Sequence, residues 1–206
     1  MSEPDRSNAS SRQVHTLARP ASTDVDVRRL LRESTRPLHD RVDALFEQEK
    51  ISHPSGYARM LLIHTAIVPA LESRIRKGGW VDDIPNLSSR WRSEDLFDDL
   101  ADLQHSQPTP LCVSFVNDRA SAAGSMYVLE GSRLGARVIN SWLRSGECAS
   151  LPKRFLNSSG EPGNWKLFLH WLAEQNWSGS EVDRMIEAAE GVFQAYLSAD
   201  KGQIAA

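Results

Sequence analysis

The chain has 206 residues and a mass of 23.0 kDa, enough for one domain with a sizeable core. Hydrophobic residues make up 40% and charged residues 25%, and 24 Lys and Arg against 27 Asp and Glu leave a net charge of −3, which argues against a dedicated nucleic-acid binder. The longest apolar run, Met60 to Leu71, is broken by His64, Thr65 and Pro69 and falls short of the roughly 20 residues of a membrane span.

Residues 1–23 are rich in Ser, Asn, Arg and Pro and lack both an apolar period and a signal-like apolar core, so a disordered tail is expected ahead of a helical domain over 24–200. The helical period then begins at once. Thr23 or Asp24 is placed to cap a helix with Val27, Leu30, Leu31, Leu38, Val42, Leu45 and Phe46 on one face, and Pro37 is expected to bend or interrupt it. A second helix is predicted over about 55–76, ended by Gly78-Gly79. A loop over 80–92 and a short helix over 93–105 follow. A long helical stretch is predicted from Leu111 to Ser145, with Gly124, Gly131 and Gly135 in its interior, each costing about 0.5–1 kcal/mol relative to alanine. Two more helices carry Trp165, Phe168 and Leu172, and then Val182, Met185, Phe193 and Tyr196. No segment alternates as a strand, so the predicted architecture is an all-α bundle of six or seven helices. Cys112 and Cys148 make neither a metal-type pair nor a disulfide framework and read as small buried thiols in a reduced, cytoplasmic protein.

Two features exceed what a plain bundle requires. In LLRESTRPLHDRVDALF, Arg32, His39 and Asp43 fall on or near one helix face. A carboxylate one turn after a histidine can hold Nδ1–H and leave Nε2 free for a metal, and Arg32 can pair with a ligand carboxylate. The same spacing also describes an exposed His–Asp pair near an arginine. The second feature is Gly131-Ser-Arg-Leu-Gly135, a patch without side chains that admits either a flat ligand or a neighbouring helix. Together, an oriented imidazole and a bare helix face could sandwich a heme, with one iron face open to dioxygen.

The sequence at this point resembles the biliverdin-producing bacterial heme oxygenases, especially the subgroup associated with bacteriophytochromes. The resemblance runs through LRESTRPLHDRVD, through Gly124-Ser-Met-Tyr-Val-Leu-Glu-Gly-Ser-Arg-Leu-Gly135, and through Phe155-Leu156, Gly163, Trp165 and Phe168, covering residues 27–198. It implies a heme oxygenase-like bundle in which heme lies between a proximal and a distal helix and is opened by O2 to biliverdin, carbon monoxide and ferrous iron. It further implies His39 as iron ligand, Asp43 as its orienting carboxylate, Arg32 at a propionate, and Gly131, Gly135 and Ala136 against the heme, with Ser132 near the oxygen. Ala136 replaces a usual second glycine, and Ser132 stands where the mammalian-type enzymes carry aspartate. An external electron donor of ferredoxin or flavoprotein type is implied, since no Gly-rich nucleotide motif is present, and a bacteriophytochrome is an implied biliverdin acceptor.

Among the remaining polar residues, His64 and His170 are expected as hydrogen-bonded structural histidines, and Glu130 as solvated or paired. Arg133 and Arg137 are candidates for propionate or redox-partner contacts or for a solvated face, and Tyr127 and Trp142 read as core aromatics. A heme carrier without turnover shares the His39 reading. A di-iron oxidase would need paired ExxH motifs, which the sequence lacks.

Overall fold

The computed structural model describes residues 26–158 and 160–203, so the expected tail over 1–23 and the expected caps Thr23 and Asp24 lie outside the described residues. Helix α1 spans Val27–Asp43, and Asp26 caps it by accepting the Arg29 amide at 2.9 Å. Val27, Leu31, Thr35 and Val42 form its buried stripe. The helix runs through Pro37 without interruption. Pro37 and Glu33 are both exposed, so water can reach the carbonyl that loses its partner.

After the four-residue helix α2 (Gln48–Ile51), α3 (Pro54–Gly78) starts with proline at its first turn and is buried on most of its faces. Gly79 ends it in the left-handed region at φ 61°, donating its N–H to the Ile75 carbonyl at 3.2 Å. Helix α4 (Ser93–Asp102) opens with Glu94 and Asp95, which suit the positive end of the helix dipole. Its buried Asp99 accepts the backbone amides of Arg154 and Phe155, each at 3.0 Å, and so fastens the short α6 (Arg154–Asn157).

Helix α5 begins at Arg119, not near Leu111 as the sequence predicts, and ends at Trp142. A reciprocal cap sets its start: Asp118 Oδ1 accepts the Ser121 amide at 2.8 Å, and the Ser121 hydroxyl accepts the Asp118 amide at 2.9 Å. Helices α7 (Asn164–Glu174) and α8 (Gly179–Ser198) follow, α8 carrying a second capping box at Ser178 and Glu181. Six of these helices have ten residues or more, and the described residues contain no strand. No described helix is long and apolar enough to cross a membrane.

One apolar core joins all the long helices. Helix α5 lies against α8 so closely that a Cβ on Gly124 would meet the Met185 carbonyl oxygen at 2.0 Å. Helix α1 also packs on α8, yet α1 and α5 scarcely touch each other. Their separation leaves a cleft.

Candidate functional site

The cleft has a volume of about 910 Å³ and is walled by α1 on one side and the second half of α5 on the other, with α3, α6, α7 and α8 contributing apolar side chains. That volume lies at the upper end of the roughly 300–1,000 Å³ usual for small-molecule pockets, large enough for a flat macrocycle. Arg32, His39, Asp43, Gly131, Ser132, Gly135 and Ala136 all line it.

On the α1 side, His39 stands one turn before Asp43, and its Nδ1 lies 3.2 Å from Asp43 Oδ2. The hydrogen bond to Asp43 holds the imidazole pKa above its ordinary 6.5, against the opposing pull of partial burial. The ring rests edge-on against Phe193 of α8 at 5.6 Å. Nε2 has no protein partner among the described residues, and the side chain is 54% exposed, so this nitrogen is available to a ligand in the cleft. Arg28 and Arg36 line the cleft together with Arg32. Their spacing of four residues, a signal present in the sequence, stacks three guanidinium groups along one side of α1. Only Arg32 is singled out by sequence reasoning.

On the α5 side the bare patch faces open space. A Cβ on Gly135 would have no neighbour within 4 Å, and one on Gly131 would meet only the Trp165 ring at 3.8 Å. Close helix packing therefore explains Gly124 and does not explain Gly131 or Gly135. The Ser132 hydroxyl donates to the Leu129 carbonyl at 2.7 Å and accepts from Arg92 Nη2 at 2.8 Å. With its proton engaged in the helix, Ser132 can accept from a water in the cleft but must rotate to donate.

Between the two walls sits a group of rings. His64 of α3 donates or accepts through Nδ1 to the Met60 carbonyl at 2.8 Å and is packed among Phe46, Phe155 and Tyr196 at 5.0–5.1 Å. Burial pushes its pKa down to about 4, so it is neutral at pH 7. It is a hydrogen-bonded core histidine, as expected, and it also lines the cleft. Behind Ser132 lies Arg92, fully buried, with its guanidinium 4.6 Å from the Phe155 ring and burial lowering its pKa to about 10.

The structure decides between the alternatives left open for Glu130 and Arg137 and differs from the sequence reading at other residues. Glu130 is buried and bridges two arginines, Arg90 Nη1 at 2.5 Å and Arg133 Nε at 3.0 Å. Arg133 also donates to the Ser158 and Arg90 carbonyls, so it is spent on structure and does not reach a cleft ligand. Arg137 is exposed and is not part of the cleft wall. Cys112 is exposed, not buried, while Cys148 is buried. Tyr127 and Trp142 are half-buried cleft residues, not core aromatics. His170 is exposed and pairs with Glu174 at 3.0 Å.

No family model and no curated protein matches the sequence. A solved structure does match: the NO- and CO-bound heme oxygenase from Neisseria meningitidis superposes with a TM-score of 0.70 over 88% of this chain and 94% of that chain, at 22% identity. The all-α architecture assembled above is the heme oxygenase fold.

Proposed function

We propose that this protein is a heme oxygenase, with heme held between α1 and the second half of α5. The observation that carries the reading is the opposition, across one 910 Å³ cleft, of an Asp43-oriented imidazole and a helix face bare at Gly131 and Gly135. The residues present fit the group. Bound there, heme is both cofactor and substrate, opened with O2 and external electrons to biliverdin, carbon monoxide and ferrous iron.

His39 offers Nε2 to the iron as the single protein ligand. Asp43 accepts Nδ1–H, fixes the tautomer and makes the imidazole more basic. Because the same contact raises the pKa of His39, a proton competes with iron for Nε2 as the pH falls. Arg32, with Arg28 beside it, supplies charge-assisted bonds to carboxylates at the cleft mouth. Gly131 and Gly135 would let a macrocycle approach the α5 backbone, and Ala136 would present only a methyl group to it. Ser132, held by Arg92 and the Leu129 carbonyl, would accept a hydrogen bond from a water in the cleft and orient it, with bulk solvent supplying the protons that such a water passes on. The rings of Phe46, Phe155, Phe193 and Tyr196 exclude bulk solvent.

The catalytic unit comprises residues 24–200, and the electron donor is a separate ferredoxin- or flavoprotein-type reductase. The biliverdin product suits a bacteriophytochrome, as in the subgroup the sequence resembles. The test is to add hemin to the purified protein and record absorption spectra before and after a reductant is added in air. A one-to-one complex that converts to biliverdin supports the reading. A complex that is stable under turnover conditions identifies a heme carrier instead, and failure to bind hemin overturns both.

A further inference from the structure

An aromatic column leads from the cleft to the protein surface. Tyr127 and Trp165 both line the cleft, with ring centroids 5.6 Å apart. Trp165, Phe168 and Trp171 recur every three residues along α7, which puts the three rings on one face. They lie nearly parallel, Trp165 to Phe168 at 6.0 Å and 23°, Phe168 to Trp171 at 5.8 Å and 28°. Trp177, partly buried just past the end of α7, donates its N–H to the Leu172 carbonyl at 2.9 Å and meets Trp171 edge-on at 6.1 Å. The other aromatic group of the cleft, Phe46, His64, Phe155 and Tyr196, is buried throughout and has no such exit.

Tyrosine and tryptophan are the ring side chains that give up an electron most readily, and phenylalanine can bridge two of them at van der Waals distance. A carboxylate stands beside the Trp171 indole. The indole N–H donates to Asp83 Oδ2 at 3.0 Å, so a carboxylate is in place to take the proton that an oxidised indole releases. Arg119 lies over both Trp171 and Trp177, at 5.5 and 5.4 Å, and Asp83 balances its charge at 2.7 Å.

We propose that Tyr127, Trp165, Phe168, Trp171 and Trp177 form a relay that carries oxidising equivalents from the cleft to the surface. The inference rests on the heme reading above, because it needs a redox-active group in the cleft that passes on the oxidising power of a hydroperoxide. Hydrogen peroxide takes two electrons and two protons and becomes two waters as its O–O bond breaks. The electrons come through the column from Trp177, which loses them with two protons, takes oxygen from water and becomes hydroxytryptophan. The sum is one tryptophan and one peroxide converted to one hydroxytryptophan and one water. Damage is thereby moved from the cleft walls to a solvent-facing ring.

The experiment is to treat the hemin-loaded full chain with hydrogen peroxide, without reductant, and locate oxygen adducts by peptide mass spectrometry. Adducts are expected at Trp171 and Trp177 in the loaded protein and not in the heme-free protein. Trp171→Phe should abolish the Trp177 adduct and shift oxidation inward to Trp165 and Tyr127, and Trp171→Tyr, which restores an oxidisable ring, should bring it back. If Trp171→Phe does not fold, Trp177→Phe should instead leave Trp171 as the outermost modified ring. Equal Trp177 oxidation in Trp171→Phe or in heme-free protein overturns the relay, since peroxide then attacks from solvent. An absent Trp177 adduct in the loaded native chain overturns it too. If hemin is bound and cleaved under reductant while Trp177 stays unmodified, the relay alone fails; if hemin does not bind, the functional reading fails with it.

Discussion

The two halves of α5 use glycine for opposite purposes. In the first half, Gly124 removes a side chain so that another backbone can occupy its place, and a Cβ there would lie within 2.0 Å of the Met185 carbonyl oxygen. In the second half, Gly135 removes a side chain and nothing fills the space. A helix pays for interior glycine in conformational entropy wherever it stands, so the first glycine is offset by packing while the second is left uncompensated within the protein itself. Gly135 faces the cleft that His39 also lines, so its cost is consistent with the heme-binding face proposed above. Glu130 marks the boundary between the halves, pinned from two sides by buried Arg90 and Arg133.

That contrast can be broken most severely at its boundary. Glu130→Gln leaves two buried guanidinium groups without their shared counter-charge and should cost about 3–5 kcal/mol in urea unfolding. A loss below 1 kcal/mol would show that the two arginines are served by their carbonyl partners alone. Acid should act next. His64 has a folded pKa of about 4, below its ordinary 6.5. Its contribution is therefore complete above pH 6.5 and is lost as pH falls toward 4, on the order of 3 kcal/mol in all. His39, whose pKa is raised, contributes in the opposite sense, with stability present at low pH and lost as pH rises through its folded pKa. Comparing urea unfolding of the native chain with His64→Phe between pH 7 and pH 5 isolates the His64 part, and the variant should lose less stability over that interval.

The glycine comparison itself is sharpened by one substitution in each half. Gly124→Ala should destabilise the heme-free protein by about 1–3 kcal/mol through overpacking against α8. Gly135→Ala should stabilise it by about 0.5–1 kcal/mol through helix propensity, yet weaken hemin binding because the methyl enters the cleft. Equal shifts in melting temperature for the two variants would dissolve the distinction. The smallest effect belongs to Arg32→Ala. Arg32 is exposed, so its loss should reduce hemin affinity by only about 0.2–1 kcal/mol in a titration, partly covered by Arg28.

Periodicity and turn chemistry carried much of this architecture in the sequence. The stripe of α1, the Gly79 stop of α3 and the period of α8 are all local signals, and local signals survive folding. The start of α5 was legible too, in the Asp118–Ser121 box, although apolar content over 111–117 points to an earlier start. What a linear reading lacks is which side of a residue meets which neighbour. Glu130 and Arg133 are charged and three residues apart, which on an isolated helix describes a solvated pair, whereas in the fold Arg90, from the turn ahead of α4, packs against them and all three are buried. Cys112 sits among apolar neighbours in sequence yet falls on an exposed strand of loop. The site shows the same division. His39, Asp43, Gly131 and Gly135 lie within two short segments whose spacing is readable, whereas Phe193, Tyr196, His64 and Arg92 reach the same place from three other elements, through contacts that only the packing of α3 and α8 creates.

Whether His39 alone would ligate heme iron is read from the ferric absorption spectrum of the hemin complex of His39→Ala beside that of the native chain. The variant should still bind hemin through ring burial and carboxylate contacts, lose the imidazole-ligated spectrum, and regain it when free imidazole is added. A native ferric spectrum in His39→Ala without imidazole would exclude His39 as the ligand and remove the opposition of α1 and α5 as the basis of the proposed function.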